Sequence, residues 1–301
     1  MMRLLCVLST ALLLSAALAF PVCAHAERDG LPALHEARDA DLQRGLEAVV
    51  AELGLAREVQ AGRLSLAVID VTERNAPRLA MLNGDEMMYA ASLPKIAILL
   101  GAFAEAESGR MPLDATRLQA MTSMIRYSSN KDATRVLEWV GEERLLEILQ
   151  SPRYRFYDAR GAGGLWVGKS YGKEGAYRRD PIRNLSHGAT AFQVARLYYL
   201  LANDALLMPR FNALMKEILS NPGIHHKFVK ALEGVPGVRI FRKSGTWKDH
   251  HADSALVEYG AHRYVLVGLA EHPDGGEWLV RLGLPLHRLL VGASRTTLAR
   301  H

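Results

Sequence analysis

The sequence predicts a mixed α/β (α+β) protein in which both ends of the chain build one antiparallel five-stranded sheet, flanked by helices. Two strand-like segments lie in the first third of the chain, and three lie near its end. Between these groups the apolar residues recur mostly at helical spacing. This order predicts that the middle of the chain forms an all-helical insertion packed beside the sheet.

A helix precedes the first two strands. Apolar residues at helical spacing over residues 32–60 predict one long helix. Residues 64–71 (LSLAVIDV) are rich in apolar and β-branched side chains and predict a strand. Residues 78–82 predict its partner strand, because residues 75–77 (NAP) are typical of a turn.

Helical patterns dominate the middle of the chain, and one long glycine-rich segment interrupts them. That segment covers residues 151–185 and predicts an Ω-like loop, of a length that is usually functional or disordered. The helices predicted around it span residues 93–106, 116–127, 131–149, 190–202 and 210–219.

Three strands and a final helix close the chain. They are predicted at residues 238–243, 254–259, 264–270 and 277–291. We therefore expect a sheet subdomain made of residues 27–91 and 223–301, and a helical subdomain made of residues 92–222. A cleft between two such halves is a natural ligand site.

The first 26 residues have the pattern of a secretory signal peptide. Arg3 gives a short positive start, residues 4–20 are nearly all apolar, and residues 24–26 (AHA) offer a small-x-small cleavage pattern. A retained membrane anchor is the alternative, although the apolar run is shorter than the ~20 residues of a typical span. We expect a periplasmic or secreted protein that has no membrane segment once the signal is removed.

Composition and charge argue against several classes of protein. Cys6 and Cys23 both lie in the predicted signal, so we expect a mature chain without disulfides. The formal net charge of +5 is mild, and no basic stripe is interleaved with aromatic residues, so nucleic acid is not an expected partner. Hydrophobic residues make up 49%, as in a globular core, and we expect a monomer.

An S-x-x-K motif (SLPK, residues 92–95) stands at the start of a predicted apolar helix. The pattern also occurs at Ser128 and Ser170, so by itself it is a weak signal. At Ser92 the surrounding residues fit a catalytic serine–lysine pair: Pro94 fits the first helical turn, and a Ser and a Lys three residues apart share a helix face. Burial at the helix start would also lower the pKa of the lysine, as a base requires. The alternative is a plain N-cap.

Two further motifs occur once each. At residues 128–130 (SSN), between two helical patterns, a hydroxyl could relay a proton and an amide could hold a carbonyl; helix capping is the alternative. Residues 243–245 (KSG) end a strand-like run. There a lysine with the hydroxyls of Ser244 and Thr246 could bind a carboxylate, and Gly245 would let a ligand approach the strand. A strand that simply ends in a turn is the alternative.

In this order the three motifs resemble the signatures of the class A β-lactamase and penicillin-binding protein superfamily, S-x-x-K, S-[DSG]-N and K-[ST]-G. The segments MTSMIRYSSNKDATRVLEWVG and LSHGATAFQVARLYYLL are also similar to that superfamily. The resemblance covers essentially the whole chain after the predicted signal. It implies a β-lactamase/transpeptidase-like fold and a serine hydrolase that works through an acyl-enzyme and needs no cofactor.

The resemblance also implies a catalytic role for each motif. Ser92 would attack the carbonyl carbon, and Lys95 would help to deprotonate the Ser92 hydroxyl. Ser128 would pass a proton to the leaving nitrogen, and Lys243 would set the electrostatics around that serine. Asn130 would hold Lys95 or the amide of the substrate.

The third motif would bind the substrate. The resemblance implies that Lys243 and the hydroxyls of Ser244 and Thr246 hold its carboxylate, at a position that Gly245 leaves accessible. The backbone N–H groups of Ser92 and Thr246 would form the oxyanion hole, where one such donor is typically worth ~3–4 kcal/mol of transition-state stabilisation.

The glycine-rich loop departs from the resemblance, because it lacks the E-x-x-L-N pattern whose glutamate positions the deacylating water in class A enzymes. The residues after Glu174 do not match that pattern, so solvent-exposed pairing of Glu174 with a nearby Lys or Arg is the simpler interpretation; activation of the deacylating water by Glu174 is a hypothesis. The doublets His225-His226 and His250-His251 flank the third motif and leave zinc as a further alternative, although adjacent histidines are poor chelates.

These patterns predict a serine β-lactamase-like hydrolase that opens a small-molecule β-lactam. A D,D-peptidase (penicillin-binding protein) acting on peptidoglycan peptides is the second interpretation, since the missing E-x-x-L-N pattern is compatible with slow deacylation. A non-catalytic module that binds lactams or wall peptides is the third. Binding alone does not need the paired Ser92 and Lys95.

Overall fold

The computed structural model describes Glu27 and residues 30–298, with the backbone alone for residues 293–298. The predicted signal peptide lies outside these residues. The strands are β1 (Leu64–Asp70), β2 (Arg78–Leu82), β3 (Met88–Tyr89), β4 (Tyr157–Asp158), β5 (Gly163–Gly164), β6 (Trp166–Val167), β7 (His187–Ala189), β8 (Arg239–Trp247), β9 (His250–Tyr259) and β10 (His262–Glu271). The helices are α1 (Ala40–Glu52), α2 (Ala56–Gln60), α3 (Lys95–Glu107), α4 (Ala115–Arg126), α5 (Asn130–Val140), α6 (Glu142–Gln150), α7 (Ala191–Ala202), α8 (Pro209–Leu219), α9 (Phe228–Leu232) and α10 (Gly275–Leu298).

The main sheet has five antiparallel strands in the order β2-β1-β10-β9-β8. Its strands come from both ends of the chain, as predicted. The last β-strands form two hairpins, and β10 pairs with β1 to join the two halves of the sheet. In the β8–β9 register Ser244 lies opposite Asp253 and Thr246 lies opposite His251.

Helices cover both faces of this sheet. One face packs against α1 and α10 through a core that includes Leu46, Leu266 and Leu282. The other face packs against α7 and borders the larger core that surrounds α3. Residues 95–105 of α3 are all buried, and a helix that is apolar on every side is stable only in the interior. The first residue of that helix is Lys95, which is thereby placed in the interior.

The predicted single helix over residues 32–60 is wrong. A short 3-10 turn covers Leu34–Glu36, and the first α-helix begins only after Asp39, whose carboxylate accepts a hydrogen bond from Leu42 N. Gly54, at φ +71°, then separates α1 from α2. Glycine readily adopts this left-handed conformation, which ends a helix. The apolar periodicity in the sequence continues across this break and therefore did not reveal it.

The predicted helix over residues 131–149 is likewise two helices. Gly141, at φ +90°, separates α5 from α6. The glycine-rich segment also holds short strands: β6 pairs with β7, which pairs with β3, and β4 pairs with β5. The five-residue helix α9 was not predicted.

The strands around the third motif are longer than predicted. Strand β8 continues to Trp247, so the KSG residues lie inside the strand and not at its end. Strand β9 begins at His250, after a tight turn in which Lys248 has φ +50°. The polar residues at the start of β9 obscured the strand pattern. Among the described residues no helix has the length and apolarity needed to cross a membrane.

An ion pair joins the start of the described chain to α7. The carboxylate of Glu27 accepts two hydrogen bonds of 2.7 Å from Nε and Nη2 of Arg196, and both side chains are buried. Arg196 also donates to the carbonyl oxygen of Tyr154, at the beginning of the glycine-rich segment. The pair therefore connects the N-terminal segment, α7 and this loop.

We expect Glu27→Ala to lower the free energy of unfolding by about 3 kcal/mol, because it leaves a buried guanidinium without its carboxylate. Urea denaturation measures this change. Asp41→Ala is the matched control: it removes the partner of the exposed Arg44 and should cost less than about 1 kcal/mol. Equal effects of the two substitutions would contradict a stabilising role for the Glu27–Arg196 pair.

Candidate active site

Ser92 lies in a turn directly before α3. The turn is held by a hydrogen bond from Leu93 N to Ala90 O (2.9 Å) and one from Lys95 N to Ser92 O (3.3 Å). Ala91 has φ +49°, a conformation that is costly for a residue other than glycine and that is often found at functional sites. Ser92 is half-buried.

Lys95 is fully buried beneath this turn. Its Nζ donates to Asn130 Oδ1 (2.7 Å), to Ser128 O (2.7 Å) and to Ser128 Oγ (3.3 Å). Burial lowers the pKa of Lys95 to about 7, so much of it is neutral at physiological pH and able to accept a proton. Among the described hydrogen bonds none joins Lys95 to Ser92, contrary to the direct contact expected from their spacing.

The second motif lies between α4 and α5. One of its residues caps a helix and the other two contact Lys95, so both of the roles predicted for the motif occur. Ser129 caps α5, since its Oγ accepts a hydrogen bond from Asp132 N (3.1 Å). Ser128 and Asn130 on either side of it face Lys95. Ser128 has φ +57°, which turns the chain so that its carbonyl and hydroxyl oxygens both meet the ammonium group.

Lys243 approaches Ser128 from β8. Its Nζ donates to Ser128 Oγ (3.1 Å) and to Ser244 O (2.5 Å), and its side chain is buried. Burial lowers the pKa of Lys243, and the nearby charge of Lys95 lowers it further. The hydroxyl of Ser128 therefore lies between two lysines, as a residue that relays protons requires.

Gly245 is the point where β8 meets the Ser92 turn. A Cβ at this position would lie 2.2 Å from Ala90 O and 2.7 Å from Ser92 N, both backbone atoms that cannot move aside. Glycine is therefore needed for close packing of the two backbones. Access of a ligand to the strand at this glycine stays a prediction.

Two residues before α9 hold the hydroxyls of the third motif. His226 Nε2 lies 3.1 Å from Ser244 Oγ. Lys227 Nζ donates to Thr246 Oγ1 (2.9 Å), Gly245 O (2.6 Å) and Ala252 O (3.0 Å). Burial lowers the pKa of Lys227 to about 8 and that of His226 to about 4.

A buried ion pair fixes this part of the sheet. Arg242 Nε donates to Asp253 Oδ1 (2.7 Å), and Asp253 Oδ2 accepts a hydrogen bond from Phe228 N (3.1 Å) at the start of α9. Both charged side chains are almost completely buried. The pair joins β8, β9 and α9 directly behind Lys243 and Lys227.

The histidines predicted as alternative zinc ligands have separate partners. His225 Nδ1 contacts Glu233 Oε1 (2.6 Å), whereas His226 contacts the third motif. The His250 ring packs against Tyr89, and His251 lies against Gly275. A search of the described residues finds no group of three or more His, Cys, Asp or Glu side chains suited to hold a metal ion.

Glu174, predicted to activate the deacylating water, is not brought to the other site residues. Its carboxylate is exposed and accepts a hydrogen bond from Ser170 Oγ (2.8 Å), in a side cleft that Glu138 and Tyr177 also line. No hydrogen bond of the described residues joins Glu174 to Ser92 or Lys95. The residue of this loop that reaches the site is Tyr171, whose ring centroid is 4.4 Å from Lys95 Nζ.

Tyr171 and Lys227 are not among the site residues predicted from the sequence. Each is identified only by contacts across long stretches of chain, to Lys95 and to Thr246 respectively. The sequence carries one weak signal for Tyr171, namely an aromatic residue in a long glycine-rich loop. We find no local sequence signal for Lys227.

A model of the β-lactamase enzyme family matches residues 115–283, which is more than half of the chain. The chain belongs to this family. The match includes the second and third motifs and begins after Ser92. No curated protein sequence matches the chain significantly.

Solved structures agree with this β-lactamase-family fold. A variant of PBP-A, in an acyl-enzyme complex with penicillin G, is 16% identical with a TM-score of 0.63, over 85% of this chain and 98% of that one. A β-lactamase from Sphaerobacter thermophilus is 16% identical with a TM-score of 0.62, over 81% and 96%. An ancestral class A β-lactamase is 20% identical with a TM-score of 0.63, over 84% and 99%. These likenesses confirm the predicted fold.

For the acylation by penicillin that is proposed below, Lys227→Met should lower the rate by about tenfold, or about 1.4 kcal/mol of transition-state free energy. The substitution removes the donor that fixes Thr246 and Gly245 beside the Ser92 turn. Lys230→Met, which removes the same charge from an exposed position of α9, is the control. Acylation of Lys227→Met at the rate of the unsubstituted protein would show that Lys227 does not position the third motif.

Proposed function

We propose that this β-lactamase-family protein is a serine acyl-transfer enzyme that β-lactams acylate at Ser92 and that releases the acyl group slowly, as a D,D-peptidase acting on peptidoglycan peptides does. The observation that carries the proposal is the arrangement of Lys95, Ser128 and Lys243 around the Ser92 turn, with a tyrosine ring against Lys95 and no carboxylate hydrogen-bonded to it among the described residues.

The first step is the attack of Ser92. Lys95 takes the proton of the Ser92 hydroxyl, and Ser92 Oγ forms a bond to the carbonyl carbon of the amide. The lowered pKa of Lys95 supports this role, because a lysine with its ordinary pKa is protonated at neutral pH and cannot act as a base. In the free protein Lys95 contacts Ser128 and Asn130, and catalytic hydrogen bonds often form only once substrate is bound.

The second step breaks the carbon–nitrogen bond. Ser128 gives its hydroxyl proton to the leaving nitrogen and regains one from a neighbouring lysine. Hydrogen bonds from both Lys95 and Lys243 to Ser128 Oγ support this path, since either amine can return the proton. The N–H groups of Ser92 and Thr246 stabilise the oxyanion of the intermediate.

The charge of the cleft supports a substrate that bears a carboxylate. Lys227 Nζ donates to the hydroxyl of Thr246, an exposed residue, and Lys243 Nζ contacts the backbone carbonyl of Ser244 on the same strand. A carboxylate at the Thr246 hydroxyl would therefore lie next to the buried amine of Lys227, on the strand that also carries Lys243. Penicillins and peptides that end in a free carboxylate both meet this requirement.

Slow release is supported by what surrounds the nucleophile. Hydrolysis of an acyl-enzyme needs a base that activates water, and a carboxylate is a common one. Glu174 lies in the side cleft with Ser170, and Tyr171 takes the position of the loop nearest to Lys95. A hydrolytic β-lactamase is the second candidate, which the β-lactamase family match and the fold of class A β-lactamases favour.

We also infer that the protein acts outside the cytoplasm. The signal-peptide pattern of residues 1–26 supports export, and both peptidoglycan and β-lactams are met there. A membrane-retained form and a cleaved form would be distinguished by the mass of the protein recovered from its native host.

Intact-mass spectrometry after addition of benzylpenicillin, and separately of a carbapenem, tests the proposal. We expect an adduct that persists for many minutes in the unsubstituted protein and is absent from Ser92→Ala. Release of D-alanine from a peptide ending in D-Ala-D-Ala should likewise require Ser92.

Other outcomes would contradict the proposal in different ways. An adduct that clears within seconds, with release of hydrolysed drug, would show a hydrolytic β-lactamase. Absence of any adduct in folded protein would refute Ser92 as a nucleophile, and unchanged ligand affinity in Ser92→Ala would then indicate a binding module.

A further inference from the structure

Tyr171 covers the side of Lys95 that faces the glycine-rich loop. Its ring centroid is 4.4 Å from Lys95 Nζ. On its other sides the same amine donates hydrogen bonds to Asn130 and to Ser128. The amine is therefore enclosed by two hydrogen-bonded residues and one aromatic ring.

The backbone and hydroxyl of Tyr171 connect the loop to two catalytic segments. The hydroxyl donates to Ala91 O (3.3 Å), next to Ser92 and at a backbone position with φ +49°. The backbone N–H donates to Thr134 Oγ1 (3.1 Å) on α5, the helix that begins at Asn130. One residue thus joins the loop, the nucleophile turn and the second motif.

A cluster of aromatic rings packs against Tyr171. The His187 ring centroid is 4.4 Å from that of Tyr171, and Tyr89 packs at 6.2 Å on the His187 ring. His187 Nε2 lies 3.1 Å from Lys169 O, so it carries the proton and donates to that carbonyl. Burial lowers the pKa of His187 to about 4, which keeps it uncharged at neutral pH.

We propose that Tyr171 is a positioning residue that closes the loop side of the active site, holding the Ser92 turn and keeping water from Lys95. The inference rests on the proposed function, because the consequence that it predicts is measured on acylation. The ring of Tyr171 would then help to set the pH at which Lys95, the base of the acylation step, becomes neutral.

The Tyr171 ring has two opposing effects on the pKa of Lys95. A cation–π contact favours the protonated lysine and raises its pKa by at most about 1.5 units. Desolvation disfavours the protonated lysine, and full burial can lower a lysine pKa by about 3–5 units. Desolvation is the cause of the lowered pKa of Lys95. Admitting water by removing the ring should therefore raise that pKa.

Every element packed around Lys95 contributes a group to this balance. Ser128 and Asn130 face it from the α4–α5 junction, and Lys243 approaches the same serine from β8. Tyr171 and the uncharged His187 face it from the loop and from β7. No carboxylate among the described residues hydrogen-bonds to Lys95, so solvent access is the main variable that a loop substitution changes.

The test measures the rate constant of acylation by a chromogenic cephalosporin as a function of pH. Acylation requires neutral Lys95, so the rate should rise with pH through the pKa of Lys95. Tyr171→Leu and Tyr171→Met, which both remove the ring, should move the midpoint upward by about one pH unit and lower the rate at pH 7 by about fivefold. Tyr171→Phe should keep the midpoint and lower only the plateau rate, because it retains the ring and loses the hydrogen bond to Ala91.

Tyr177→Leu is the matched control, since Tyr177 lies in the same loop and donates to Val167 O, away from Lys95. It should leave the midpoint unchanged. The inference is overturned if a folded ringless variant has the midpoint of the unsubstituted protein, or if Tyr177→Leu shifts it equally. Failure of the unsubstituted protein to be acylated at all would instead refute the proposed function.

Discussion

The Ser128 hydroxyl lies between the amines of two buried lysines, at 3.3 Å from Lys95 Nζ and 3.1 Å from Lys243 Nζ. Burying a lysine without a carboxylate is costly, and the cost is reduced when the lysine becomes neutral. The described residues offer neither amine a carboxylate within hydrogen-bond distance; both donate to hydroxyl, carbonyl and amide oxygens instead. The environment thus favours neutral amines at a pH where exposed lysines are charged, and this makes proton transfer at Ser92 and Ser128 feasible.

The rest of the fold keeps these amines buried and close together. Helix α3 is enclosed by the larger core and holds Lys95 at its first turn. Strand β8 holds Lys243, and Gly245 lets that strand pack directly on the Ser92 turn. Behind β8, the Arg242–Asp253 pair and Lys227 fix the strand to its neighbour and to α9. The cost of burying these polar groups is offset by their hydrogen bonds, which leaves a rigid site open on one side.

The sequence was sufficient to predict the part of the site that depends on local pattern. Each motif lies at an element boundary or within a strand, and its order along the chain matches a known arrangement, so the contacts of Lys95 with Asn130 and of Lys243 with Ser128 could be anticipated. Tyr171 could not, because a loop without periodicity gives no indication of which side chain turns inward. The helix predicted across Gly54 failed for a related reason: the apolar spacing continues through a residue whose positive φ ends the helix.

An NMR titration of the lysine ¹³Cε and ¹⁵Nζ resonances in the ligand-free protein measures whether Lys95 is substantially neutral near pH 7, as proton transfer from Ser92 requires. The Lys95 signals are assigned by their loss in Lys95→Arg. We expect a midpoint at about 7, displaced from the ordinary value of 10.5 by burial. A midpoint close to 10.5 would contradict it, because Lys95 would then be charged at neutral pH and could not take the proton of Ser92.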